Sequence, residues 1–100
     1  MVDRVVAAGG GTRNRHWLQI KADVSNCSYQ ILPVPEATLL GAALLAGISC
    51  GYYTSVQEAV SRQEPVTILP DPDRHLIYQR KFSDGYLTLQ EPLRAYFNSL

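Results

Sequence analysis

The residues best placed to do chemistry are Gly9-Gly10-Gly11-Thr12-Arg13-Asn14, which follow four small apolar residues, Val5-Val6-Ala7-Ala8. A strand that ends on glycine and hands over to a helix leaves main-chain N–H groups uncovered at the helix start. No side chain then stands between them and a ligand, a setting that suits a nucleotide. Two common versions of it do not fit. A phosphate loop needs Gly-Lys-Ser/Thr, and here Thr12 and Arg13 follow the glycines. A dinucleotide fold needs a glycine where Asn14 stands and an acid ending the second strand, which instead ends Ile31-Leu32-Pro33. What remains is an adenosine over bare glycine backbone, with a polar side chain one turn into the helix reaching the nucleoside. The competing reading is a plain flexible turn between two elements.

Other reactive residues carry less. His16 and His75 have no partner that spacing can place beside them, and both read as structural. Glu36, Glu58, Asp71 and Asp73 stand where helix caps and first turns favour acids, which explains them without general acid or base work. No GxSxG, HExxH or paired metal-binding carboxylate pattern occurs. Cys27 and Cys50 lie far apart without a CxxC pairing, so they read as reduced, buried thiols of a cytosolic protein. By its own inventory the chain is a poor enzyme.

The elements that position these residues follow from pattern. Val2 to Ala8 reads as a strand apolar enough to be buried on both faces. Thr12 or Asn14 caps a helix running to about Val24, with Trp17, Ile20 and Val24 as its inward stripe and Gln19 and Asp23 pointing elsewhere. Tyr29 to Leu32 makes a second strand, closed by Pro33 and Pro35, which completes a right-handed parallel β-α-β unit. Pro35-Glu36 opens the most apolar helix, Ala37 to Cys50, with a stripe of Leu40, Leu44, Leu45 and Ile48 and with Gly51 as its stop. That run is too short and glycine-broken to span a membrane and reads as a helix buried in a larger protein.

Ser55-Val56-Gln57-Glu58 is a capping box that starts a short helix with Val56, Ala59 and Val60 inward. Pro65 to Leu69 is extended. Asp71-Pro72-Asp73 caps a last helix carrying Tyr78, Phe82, Tyr86, Leu89, Leu93 and Tyr96; Gly85 weakens it and Pro92 breaks or kinks it near Gln90.

One hundred residues at 46% hydrophobic content suffice for one modest core. Nine basic and nine acidic residues balance, with no charge run, which argues against a nucleic-acid or anionic-membrane surface. Asp3 and Arg4 interrupt any signal peptide, so the expected location is cytoplasmic.

The segment Gly9 to Asp23 resembles the adenosine motif of the FGGY carbohydrate kinases, the xylulokinase-, gluconokinase- and glycerol-kinase-like enzymes. Pro35 to Ala46 is similar to that family's following helix, with its Glu-Ala-x-x-x-Gly-Ala-Ala core, and the tail matches in order. The resemblance implies an α/β chain, part of an actin-like, ribonuclease-H-like ATPase domain. Residues 1–100 would be the C-terminal portion of the second domain. It implies ATP, with Mg, in a cleft between two domains, and transfer of the γ-phosphate to a sugar or polyol hydroxyl. Gly10 and Asn14 would touch the nucleotide, with Gly9 and Gly11 keeping the turn open. The phosphate loop, Mg-binding acids, sugar pocket and catalytic Asp belong to the family's first domain, expected outside this chain, so the segment alone should turn over nothing. The sequence departs from the family at Asn26-Cys27-Ser28, where a glycine usually precedes the strand. The alternative from another class is a non-catalytic binding or oligomerisation module, with helix 37–50 as its sticky face.

Overall fold

The structure is a computed structural model that describes residues 1–34 and 36–100. Pro35, expected to close the second strand and open the next helix, lies outside the described residues. Three strands form one sheet in the order β1 (Arg4–Ala7), β2 (Ser28–Ile31), β3 (Val66–Ile68). β1 and β2 are parallel, with Val5 opposite Tyr29 and Ala7 opposite Ile31, as the β-α-β reading required. β3 adds antiparallel to the far side of β2, with Ile31 opposite Val66. The connecting helix α1 (Arg15–Ser25) packs on β2, β3 and a later helix, Pro72–Arg80.

Asn26 ends α1 in the left-handed region, φ 54° and ψ 35°. Asn26 belongs to the Asn26-Cys27-Ser28 stretch in which the sequence departs from the resembled family. Asn is among the few residues other than glycine that take this conformation readily, so the turn forms here without one.

Two expectations about β1 and α1 fail. β1 is not buried on both faces: Val5 and Ala7 are half-buried and Val6 is exposed, because β1 is an edge strand of this three-stranded sheet. The inward face of α1 is Leu18, Ala22 and Asp23, while Trp17 and Val24 are exposed. The helix is rotated because Asp23, only 1% exposed, is drawn into a polar knot. Its carboxylate accepts from the Gln19 amide at 2.8 Å, the Asp71 N–H at 2.8 Å and Arg74 Nε at 2.7 Å. Gln19 also donates to the Leu69 carbonyl, and His75 Nδ1 lies 2.9 Å from the Asp23 carbonyl, so His75 is structural as expected. The bonds from Asp71 and Arg74 are invisible to a periodicity argument, since these partners lie about fifty residues away.

On the other face of the sheet lie α2 (Ala37–Ser49) and α3 (Val56–Ser61). Ser55 caps α3 by accepting from the Glu58 N–H at 3.1 Å, as the capping box predicts. The Glu58 carboxylate instead takes the N–H and hydroxyl of Thr54, one residue further out, and pairs with Arg62. Only Ala59 of α3 is buried; Val56 and Val60 are exposed. α2 holds no fully buried residue: Leu40, Leu44 and Ile48 are half-buried and Leu45 is exposed. Cys27 is buried, whereas Cys50, expected to be buried, is exposed at the end of α2; both are free thiols.

Asp71 caps α4 (Pro72–Arg80) by accepting from the Arg74 N–H, with Pro72 at the first helical position. A π-helical turn (Lys81–Tyr86) follows, closed by a bond from the Leu87 N–H to the Phe82 carbonyl, and α5 (Leu87–Ser99) continues to the C-terminal end. The expected break at Pro92 does not occur, since α5 runs through it. The departure from α geometry sits at Gly85, the residue with least cost to a widened turn. The rod carries the chain to 63 Å in its longest dimension, and its radius of gyration is 19.7 Å. A compact domain of this length would have about 13 Å.

Burial raises the Asp23 carboxyl, but the Asp71 N–H, the Gln19 amide and Arg74 outweigh it and hold the group below the ordinary carboxylate range. A depressed folded-state value gives stability that is complete above the unfolded value and is lost as pH falls through the folded one. Asp23→Asn should therefore cost about 2 kcal/mol at neutral pH by urea unfolding. That deficit should shrink as pH falls below about 4; curves that stay parallel down to acid pH would refute the assignment.

Candidate functional site: the glycine turn

Between β1 and α1 the chain makes a single 3-10 turn, Gly10–Arg13. Gly9 enters it at φ 97° and ψ 178°, a conformation essentially confined to glycine. The Gly9 carbonyl accepts twice from Thr12, at 3.1 Å from its N–H and 2.7 Å from its hydroxyl. Thr12 is buried beneath the turn, a locking role for which sequence spacing gave no signal.

Asn14 caps α1, its Oδ1 accepting from the Trp17 N–H at 3.0 Å. This decides between the two caps offered by the sequence. With Oδ1 engaged by the helix, the side-chain amide N–H donors of Asn14 are left without a partner among the described residues and can serve a ligand.

The three glycines differ. A Cβ built on Gly11 would stand 2.7 Å from Cζ3 of Trp17, so Gly11 is small because the indole lies on it. A Cβ on Gly9 or Gly10 would meet nothing within 4 Å. Gly9 is constrained by its backbone angle, but Gly10 has neither a strained φ nor a neighbour. Its bareness serves nothing inside the chain. Trp17 is half exposed beside the turn, with Lys21 Nζ 3.8 Å from its ring centroid. The first turn of α1 carries no acid, and Arg13 faces Glu36 at 3.7 Å on the surface.

The four residues singled out by sequence thus lie in one turn and its helix start: open space beside Gly9 and Gly10, the indole on Gly11, and Asn14 as the cap. A cavity of about 340 Å³ lies elsewhere, between the sheet and α2, and is lined by apolar residues such as Val6, Leu40 and Leu44. None of the glycine-turn residues borders it. Among the described residues no group of three His, Cys, Asp or Glu side chains is placed to hold a metal ion. No helix among them is long and apolar enough to cross a membrane.

The profile of the C-terminal domain of the FGGY family of carbohydrate kinases matches residues 1–50, which hold β1, the glycine turn, α1, β2 and α2. The chain belongs to this family. Autoinducer-2 kinase of Escherichia coli (strain K12) is 43% identical over 77 residues, and that of Salmonella paratyphi B 35% over 80. These alignments cover 75% and 78% of this chain but only 14% and 15% of the relatives. The xylulose kinase of Rhodospirillum rubrum superposes with a TM-score of 0.65 at 32% identity, over 96% of this chain and 20% of that one. The ligand-bound xylulose kinase of Lactobacillus acidophilus, at 21% identity, shares the fold with a TM-score of 0.68 and the same coverage. The chain is therefore a mixed α/β piece of the FGGY kinase fold, spanning about a seventh of the curated relatives it matches.

The different duties of the glycines are separable by substitution. Gly11→Ala should displace the single tryptophan, shifting its fluorescence and costing about 1–3 kcal/mol. Gly9→Ala should cost a similar amount through backbone strain alone, about 1–3 kcal/mol, with the emission unchanged. Gly10→Ala should do neither, within about 0.5 kcal/mol. Equal losses at all three positions in urea unfolding would contradict this division.

Proposed function

We propose that residues 1–100 are the adenosine-binding C-terminal portion of the second domain of an ATP-dependent carbohydrate kinase, built on the actin-like ATPase fold. The observation that carries the reading is the bare, unstrained Gly10 beside a capped Asn14. A ribose or purine can lie against the Gly10 backbone, and the Asn14 amide can donate to a nucleoside acceptor. Family membership supplies the reaction class: transfer of the γ-phosphate of ATP, carried with Mg, to a hydroxyl of a sugar, polyol or similar polyhydroxylated substrate.

In that reaction this segment's residues bind and orient; they do not react. Gly9, Gly10 and Gly11 seat the nucleoside, Asn14 fixes its register, and Thr12 holds the turn in shape. Phosphate, Mg and sugar contacts fall to the rest of a kinase, so this segment by itself supplies position and no turnover. The setting is the cytoplasm, where ATP is available.

Two substitutions test the reading in a polypeptide carrying this segment together with the preceding kinase domain. Gly10→Leu should raise the KM for ATP at least tenfold and leave that for the sugar within twofold, because the branched side chain takes the nucleoside's place. Asn14→Asp keeps a cap oxygen, so stability should hold within about 0.5 kcal/mol. It also removes the amide donor, and ATP affinity should fall. Equal changes in both KM values would remove the adenosine assignment.

A further inference from the structure

Glu36 is an acid at a cap position that does not cap. Asn14, Ser55 and Asp71 each accept a helix N–H through the side chain, as residues of their type do at such places. Glu36 stands at the same place before α2, yet its side chain makes no cap bond. Only its backbone carbonyl serves the helix, accepting from the Leu40 N–H at 3.0 Å. The carboxylate is exposed and reaches across to the glycine turn, where Arg13 Nη2 lies 3.7 Å from its Oε1. That separation is longer than a hydrogen bond, and both side chains are more than half exposed, so the pair adds little to stability. Helix capping does not account for this acid.

Its place in the topology gives it another task. β1 and β2 are parallel neighbours; the glycine turn follows β1, and Glu36 stands five residues beyond the end of β2. Both therefore lie outside the carboxyl ends of two adjacent parallel strands, the edge of an α/β sheet where ligands bind. In a nucleotide-binding β-α-β unit an acid at the end of the second strand accepts from a ribose hydroxyl. β2 itself ends without one, since Ile31 and Leu32 lead into Pro33. Glu36 returns a carboxylate to that end of the sheet from the start of the next helix, and Arg13 keeps it beside the turn.

We infer that Glu36 is the ribose-recognising residue of the glycine turn, selecting nucleotides that carry the 2′,3′-diol. The inference rests on the adenosine reading of the turn. In ATP the hydrogen-bond donors of the nucleoside are the ribose hydroxyls and the exocyclic amine. The Asn14 amide presents donors and answers an acceptor of the nucleoside, whereas Glu36 presents acceptors and answers a donor. A vicinal diol offers two O–H groups side by side to the two oxygens of one carboxylate, and bonds to a charged acceptor are the stronger kind. No cap bond has to be broken for the carboxylate to take them.

The test uses a polypeptide carrying this segment together with the preceding kinase domain, with ATP, 2′,3′-dideoxy-ATP and inosine triphosphate as phosphate donors. The KM for the dideoxy analogue should exceed that for ATP at least tenfold. Glu36→Ala should bring the two within twofold of each other by raising the KM for ATP, the change falling on KM rather than kcat and leaving the urea midpoint in place. The ratio of the KM values for ATP and inosine triphosphate, which differ at the exocyclic amine, should not move. A parent without preference for ATP over the dideoxy analogue would overturn the inference. So would a preference that survives Glu36→Ala, or a shift in the inosine ratio in its place. Gly10→Leu tells the two readings apart. If it leaves the KM for ATP unmoved, the adenosine seat itself falls; if it acts and Glu36→Ala does not, the ribose assignment alone falls.

Discussion

One buried carboxylate orders this segment. Asp23 is closed off from water and charged, a state that costs free energy unless every lone pair is used. It is used by Gln19 from the same helix, by the Asp71 backbone, and by Arg74 one turn into α4. These bonds fix three things together: the rotation of α1, the start of α4 and the crossing of the strand that precedes it, through Gln19 and the Leu69 carbonyl. With five apolar residues buried among those described, the hydrophobic core alone is thin for a chain of this length.

The rotation of α1 is what gives the glycine turn its shape. With Asp23, Ala22 and Leu18 inward, Trp17 falls at the rim of the helix, where its ring covers Gly11. Asn14 is then left at the helix start, with its oxygen on the Trp17 N–H and its amide outward. Gly10 is the one glycine of the three with neither packing nor backbone strain to explain it. The chain of cause runs from a buried acid to a helix face, to an indole, and to a patch of open backbone. On the proposed reading, that patch is the surface this segment turns toward the nucleoside.

What could be read from sequence was local. Asn14, Ser55 and Asp71 act as caps because cap chemistry spans only three residues. The parallel β1–β2 pairing followed from a short helix between two apolar runs. What could not be read depended on distant partners. Trp17, Ile20 and Val24 formed the better apolar stripe, yet the acid beside them faces inward because Arg74 and Asp71 meet it there. Val6 is apolar enough for a central strand but is exposed on an edge. Pro92 is accommodated on a rod open to water, where the lost bond of its turn can be made to solvent, and the glycine before it takes the distortion instead. Of the candidate site, the residues were legible and the division of labour among the glycines was not, since Gly11 differs from Gly10 only by the ring above it.

The most direct measurement is a two-dimensional amide spectrum of the isotope-labelled chain, titrated with AMP and separately with inorganic phosphate. If the glycine turn seats a nucleoside, AMP at millimolar concentration will shift the Gly9, Gly10 and Gly11 backbone amides and the Asn14 side-chain amide, and inorganic phosphate will not. Shifts confined to the α2 cavity, or equal responses of the turn to AMP and phosphate, would contradict the account.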